Sequence, residues 1–112
     1  MPDHYYLGLD NGGTFIKAGI YDSSMRECGI GRRVAKIIST HPGRAERDLD
    51  GLWSDGCAVI RDAIAVYGID AGKIRGVGIS AHGKGLYLLG HDRKPLGNGI
   101  LSADQRSLEL VR

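Results

Sequence analysis

The sequence predicts an α/β domain on a mixed sheet, with elements in the order β-β-β-α-β-β-α. Three observations carry that expectation. Short apolar runs with strand-period alternation fill the region between Tyr5 and Ile38. The stretch from Leu49 to Tyr67 repeats its apolar residues at helical spacing. Glycine supplies 18 of the 112 residues and falls between the apolar runs, not in a low-complexity tract, as several tight turns between strands require.

Tyr5 to Asp10 reads as a strand that ends on a carboxylate, and Asn11-Gly12-Gly13-Thr14 has the composition of a hairpin turn. Phe15 to Tyr21 reads as the second strand, with Ile16, Ala18 and Ile20 on one face and Lys17 on the other. Ile30 to Ile38 is the third, broken by Thr40-His41-Pro42-Gly43. Leu49, Leu52, Trp53, Cys57, Ile60, Ile64 and Tyr67 then mark the apolar stripe of a helix, with Trp53 read as core. Asp48 or Asp50 can cap its start and Gly68 its end. Ile74 to Ser80 and Leu86 to Leu89 read as two further strands, with a turn at Asp92 to Lys94 and a short extended piece at Ile100-Leu101. Asp104 stands where it could cap a second helix through Leu108, Leu110 and Val111. That pattern reaches the last residue with no C-cap signal, so a fragment of a larger domain is expected.

Composition removes several function classes. The net charge is +2 with both signs mixed, and no basic run is interleaved with aromatics, so a nucleic-acid partner is not expected. The apolar runs are far shorter than a membrane span. Met1-Pro2-Asp3-His4 lacks the basic-then-apolar pattern of a leader. Cys28 and Cys57 form neither a disulfide framework nor a metal-ligand spacing, which suits reduced thiols in a cytoplasmic protein.

The first hairpin carries the chemistry. Gly8-Leu9-Asp10-Asn11-Gly12-Gly13 is a poor dinucleotide fingerprint, because a strand, not a helix, follows the glycines. It is no P-loop, because no Gly-Lys-Ser/Thr follows. A glycine-rich hairpin does expose N–H groups that can cradle phosphate oxygens. Thr14 adds a hydroxyl, Lys17 a cation, and Asp10 a carboxylate able to hold Mg²⁺ through water. On these residues alone an ordinary hairpin turn remains open as well.

Leu7-Gly8-Leu9-Asp10-Asn11-Gly12-Gly13-Thr14-Phe15-Ile16-Lys17-Ala18 resembles the first phosphate motif of the actin-like (ribonuclease H-like) ATPase superfamily, and of FGGY carbohydrate kinases in particular. Pro42-Gly43-Arg44-Ala45-Glu46-Arg47-Asp48 with Leu52-Trp53 resembles that family's Pro-Gly-Trp-x-Glu-x-Asp segment, Arg44 standing for Trp. Gly76 to Leu86 resembles the strand and turn that carry sugar contacts, and Pro95 to Arg106 resembles a Trp-x-Asp-x-Arg segment with Ser102 in place of Trp. The four motifs stand in order and in register over nearly the whole chain. Ala81-His82-Gly83-Lys84-Gly85 and Ser102 look most like the branch acting on keto-sugars of the L-xylulose and 3-keto-L-gulonate type.

The resemblance implies a partial actin-like domain: residues 1–112 as the N-terminal portion of the first of two FGGY kinase domains. It implies ATP and Mg²⁺, with Gly12, Gly13, Thr14 and Lys17 on the phosphates and Asp10 on the metal. It puts the sugar against His82, Gly83, Lys84 and Asp104. Glu46 is a further candidate at the sugar site, and Arg106 a partner for a nearby carboxylate. The catalytic base, an Asp, is expected beyond Arg112, so the chain alone should be inactive, and its uncovered apolar face invites self-association as a homodimer. The competing expectation is a non-catalytic sugar- or nucleotide-sensing module on the same scaffold.

Overall fold

The computed structural model describes residues 3–111. Met1 and Pro2, read above as lacking a leader pattern, and Arg112 lie outside them. The chain forms two compact units, Met1–Ala35 with Ser54–His82, and Lys36–Trp53 with Gly83–Arg112.

The first unit is a four-stranded mixed sheet and most of a helix. β1 (Tyr5–Asn11), β2 (Phe15–Asp22), β3 (Glu27–Val34) and β5 (Ile74–Ala81) lie in the order β3-β2-β1-β5. β1 runs antiparallel to β2, and β2 to β3, while β5 runs parallel to β1. The alternation read in the second strand holds, since Ile16, Ala18 and Ile20 are buried and Lys17 is exposed. With Tyr5, Leu7 and Ala35 they form the core, closed by Val59 and Ala63 of the helix α1 (Leu49–Tyr67). β3 meets α1 backbone to backbone. A side chain at Gly31 would press into the Val59 carbonyl, and one at Gly29 into that of Ala63, so both positions demand glycine for close approach. Asp48 caps the start of α1, its carboxylate accepting from the Gly51 N–H at 3.1 Å. Gly68 ends α1 in a Schellman motif, in which the Ile69 N–H donates to the Ile64 carbonyl and the Gly68 N–H to that of Ala65.

Four expectations need correction. The third strand occupies Glu27–Val34, not Ile30 to Ile38. The preceding turn is tight, with Asp22 Oδ1 accepting from the Ser24 and Arg26 N–H groups, and pairing with β2 starts at once. Trp53 is not core: it is 76% exposed. The buried line of α1 is Asp55, Val59 and Ala63, and Trp53 stands roughly 200° around the helix from Asp55. Leu86 to Leu89 makes only isolated bridges, Leu86 to Ile100 and Leu89 to Pro95, as the chain turns back through Gly90 to Lys94. The second helix is a single 3₁₀ segment, Arg106–Leu110, whose Leu108 and Leu110 are exposed. A five-residue segment with exposed leucines lacks the buried apolar face on which most helices depend.

The second unit is held by a two-residue pairing of β4 (Glu46–Arg47) with β6 (Gly99–Ile100), antiparallel, around buried Arg47 and Leu101.

Candidate functional site

The hairpin between β1 and β2 is the densest gathering of the expected residues. Its register places Asp10 opposite Lys17 and Asn11 opposite Ile16. The Gly12 N–H donates to the Phe15 carbonyl at 2.9 Å and closes the turn. A Cβ at Gly12 would lie 2.7 Å from that carbonyl oxygen, so the turn admits no side chain there. Gly13 and Thr14 are exposed, and nothing lies within 4 Å of a Cβ placed on Gly13.

The registers of β3, β2, β1 and β5 align two rows across the sheet. One reads Arg32, Lys17, Asp10, Ser80. The next reads Ile30, Gly19, Gly8, Gly78. Paired residues share a face, so a strip of charged and hydroxyl side chains borders a strip with almost no side chains. Together they line an open concavity of about 490 Å³ that includes Asp10, Lys17, Ser80, Gly8, Gly19 and Gly78. Lys17 Nζ and the Arg32 guanidinium both lie over the Phe15 ring, 5.6 Å and 4.6 Å from its centroid. Arg32 and Ser80 escaped the reading of the sequence. Strand alternation was the signal that could have found Arg32, once β3 was set in its true register.

Asp10 is exposed, and its carboxylate makes no hydrogen bond or ion pair among the described residues. It is thus a carboxylate in reserve, with a cation on one side and a hydroxyl on the other. No three His, Cys, Asp or Glu residues cluster for a metal among the described residues. A single carboxylate beside a hydroxyl and open solvent suits Mg²⁺, which keeps most of its waters, better than an all-protein cage.

The expected sugar-side residues divide. His82 belongs to the first unit, and its ring Nδ1 lies 3.1 Å from the Asn11 carbonyl oxygen. Gly83 and Lys84 open the second stretch of the other unit, both exposed, and Lys84 holds a left-handed backbone, φ 63°.

Asp104 is occupied within the chain. Its Oδ1 accepts from Arg106 N–H at 2.9 Å and Nε at 2.8 Å. Its Oδ2 accepts from the Ala45 N–H at 2.8 Å and Arg106 Nη2 at 2.7 Å. The side chain is only 2% exposed. Arg106 Nη2 also donates to Glu46 Oε2, and Glu46 Oε1 accepts from Asn98 Nδ2. The Arg106 hydrogen bonds, helped by the Ala45 N–H, hold the Asp104 carboxyl well below the usual carboxylate range. Arg106, then Asn98, lowers Glu46 in the same way. Both groups therefore stabilise the fold above the ordinary carboxylate range, and that stabilisation is lost as pH falls through their depressed values. Asp104→Asn should flatten the acid limb of a stability-versus-pH curve while lowering stability at pH 7. An unchanged acid limb in denaturant titrations would show that the cluster contributes nothing to folding.

A profile of the FGGY family of carbohydrate kinases, N-terminal domain, matches residues 5–112. This chain belongs to the FGGY family. It is 51% identical over 108 residues to an L-xylulose/3-keto-L-gulonate kinase of Escherichia coli, covering 96% of this chain and 22% of that protein. It is 51% identical over 109 residues to a probable L-xylulose kinase of Haemophilus influenzae, covering 97% and 22%. Among solved structures, ligand-bound xylulose kinase from Lactobacillus acidophilus superimposes with a TM-score of 0.82 at 28% identity, over 96% of this chain and 21% of that one. The sheet and helix are thus part of the actin-like ATPase fold of FGGY kinases. The chain spans about a fifth of the length of the curated relatives it matches (22%).

Proposed function

We propose that these residues are the N-terminal portion of the first domain of an ATP-dependent sugar kinase, which transfers the γ-phosphoryl group of ATP to a hydroxyl of a keto-sugar or keto-sugar acid. The observation that carries the reading is the row Lys17, Asp10, Ser80 beside the glycine turn. The Gly13 N–H, the Thr14 hydroxyl and the Lys17 ammonium would take the terminal phosphates, with Gly12, whose N–H closes the turn, leaving the backbone bare for their approach. Phosphoryl transfer demands positioning and charge stabilisation more than covalent chemistry, and this hairpin offers both. Asp10 would hold Mg²⁺ through water, and the metal when bound would neutralise charge on the phosphates. Gly83 and Lys84 would meet the sugar. The relatives named for L-xylulose and 3-keto-L-gulonate support a keto-sugar over glycerol. Asp104, with both oxygens engaged, and Glu46 would order the second unit and not touch the sugar.

The proton-accepting Asp and the adenosine pocket would lie in the remaining four-fifths of the relatives' length, with the whole enzyme working in the cytoplasm. These 112 residues alone should then give no sugar-dependent ATP turnover in a coupled ADP-release assay. The complete protein should turn over ATP with a linear keto-sugar and much less with glycerol. Glycerol as the best substrate would refute the keto-sugar assignment, and turnover by the short chain would refute the division of labour.

A further inference from the structure

We infer that His82 is a positioning residue, a brace between the phosphate hairpin and the end of β5; the functional half of this inference rests on the kinase reading above. β5 ends at Ala81, opposite Asn11 of β1. At the next residue two groups of one histidine converge on one acceptor. The His82 main-chain N–H donates to the Asn11 carbonyl at 3.0 Å, and ring Nδ1 lies 3.1 Å from the same oxygen. A carbonyl oxygen only accepts, so Nδ1 must carry the proton. The neutral ring is thereby held as the Nδ1–H tautomer, with the lone pair on Nε2. The acceptor belongs to the residue between Asp10 and Gly12, where the chain leaves β1 for the turn. The donor belongs to the residue between β5 and Gly83-Lys84-Gly85.

The His82 N–H supplies the last rung of the β1–β5 ladder, the one that belongs to the Asn11–Ala81 pair, and the ring adds a second donor on the same carbonyl. That ties the exit of β1, which carries Asp10, to the exit of β5, which carries Ser80 opposite Asp10. The ring is part-buried, as a group that braces backbone is. Nδ1 is spent on main chain of the neighbouring strand.

Two measurements test this. The first is the ring tautomer in this chain, read from long-range ¹H–¹⁵N correlation of the histidines, assigned with His82→Gln. The Nδ1–H form at His82 is expected, and an Nε2–H tautomer with bare Nδ1 overturns the brace. The second uses the complete protein, with ATP and the best keto-sugar. A loosened hairpin misplaces the phosphates by fractions of an ångström, so His82→Ala should lower kcat by roughly tenfold to a hundredfold. Sugar KM should stay within about twofold. His82→Gln, whose amide N–H can reach the same carbonyl, should recover most of kcat. A rise in sugar KM in both variants with kcat unchanged overturns the brace and makes His82 a ligand. A wild-type protein that turns over no sugar would sink the kinase reading alone, since the tautomer is read without any substrate.

Discussion

Asp10→Asn should leave the chain folded and reduce kcat of the complete kinase by roughly a hundredfold or more, about 2.7 kcal/mol of transition-state stabilisation. The two halves of that expectation come from the same geometry. Asp10, next to last in β1, is exposed and its side chain makes no hydrogen bond or ion pair among the described residues, so Asn removes no packing and breaks no contact there. Exposed substitutions of that kind shift stability by about 0.5 kcal/mol or less. The charge is another matter. Lys17 stands opposite Asp10 on one strand and Arg32 beyond it, so the row holds two cations and one carboxylate. Removing the carboxylate leaves the cations but deletes the anchor for a divalent metal. Weaker Mg²⁺ activation should therefore accompany the fall in kcat, while sugar binding without nucleotide stays unchanged. A variant with near-normal kcat and an unaltered Mg²⁺ dependence would reduce Asp10 to a turn former. The hairpin would then lose its principal claim to be a phosphate grip.

Elements fixed by local pattern were readable from the sequence. β1, β2, α1 and β5 were legible because alternation, helical spacing and the Gly68 stop are properties of a few neighbouring residues. What escaped depends on residues distant in sequence. β4 is two residues long and exists only because Glu46 and Arg47 meet Ile100 and Gly99. Trp53 looked like core because it extends an apolar stripe, yet β3 approaches α1 through Gly29 and Gly31. That approach selects a line of smaller residues, Val59 and Ala63, and leaves the indole outside. Asp104 illustrates the same limit within the candidate site. Its sequence position suited either a helix cap or a sugar contact, whereas its four hydrogen bonds come from Arg106 and from Ala45, 59 residues away. The Asp10 to Lys17 hairpin was legible as a group because its residues are contiguous. Arg32 and Ser80, which complete the row, required the strand registers.

Lys84→Gly should raise the sugar KM of the complete kinase by roughly tenfold or more, without destabilising the fold. A charge-assisted hydrogen bond lost from a ligand is worth about 1.5–3 kcal/mol, and each 1.4 kcal/mol is about tenfold. The stability half follows from the backbone. Lys84 sits at φ 63° between Gly83 and Gly85, in a region that disfavours any side chain. Relieving left-handed strain returns about 1–2 kcal/mol. The freedom that a new glycine gives the unfolded chain offsets about 0.4–1 kcal/mol of this. The net effect on stability is therefore neutral to favourable, so a fall in sugar affinity could not be blamed on unfolding. Lys84→Ala adds a control, because it removes the ammonium but keeps the strain. Both variants should weaken sugar binding alike and leave the ATP KM within about twofold, while differing in stability. The loss should be greater for a keto-sugar acid than for the neutral keto-sugar, since an ammonium gains most from a carboxylate partner. Sugar KM values unchanged in both variants would make Lys84 a solvated turn lysine. Equal losses for the acidic and neutral sugars would leave it a hydroxyl contact with no part in choosing between them.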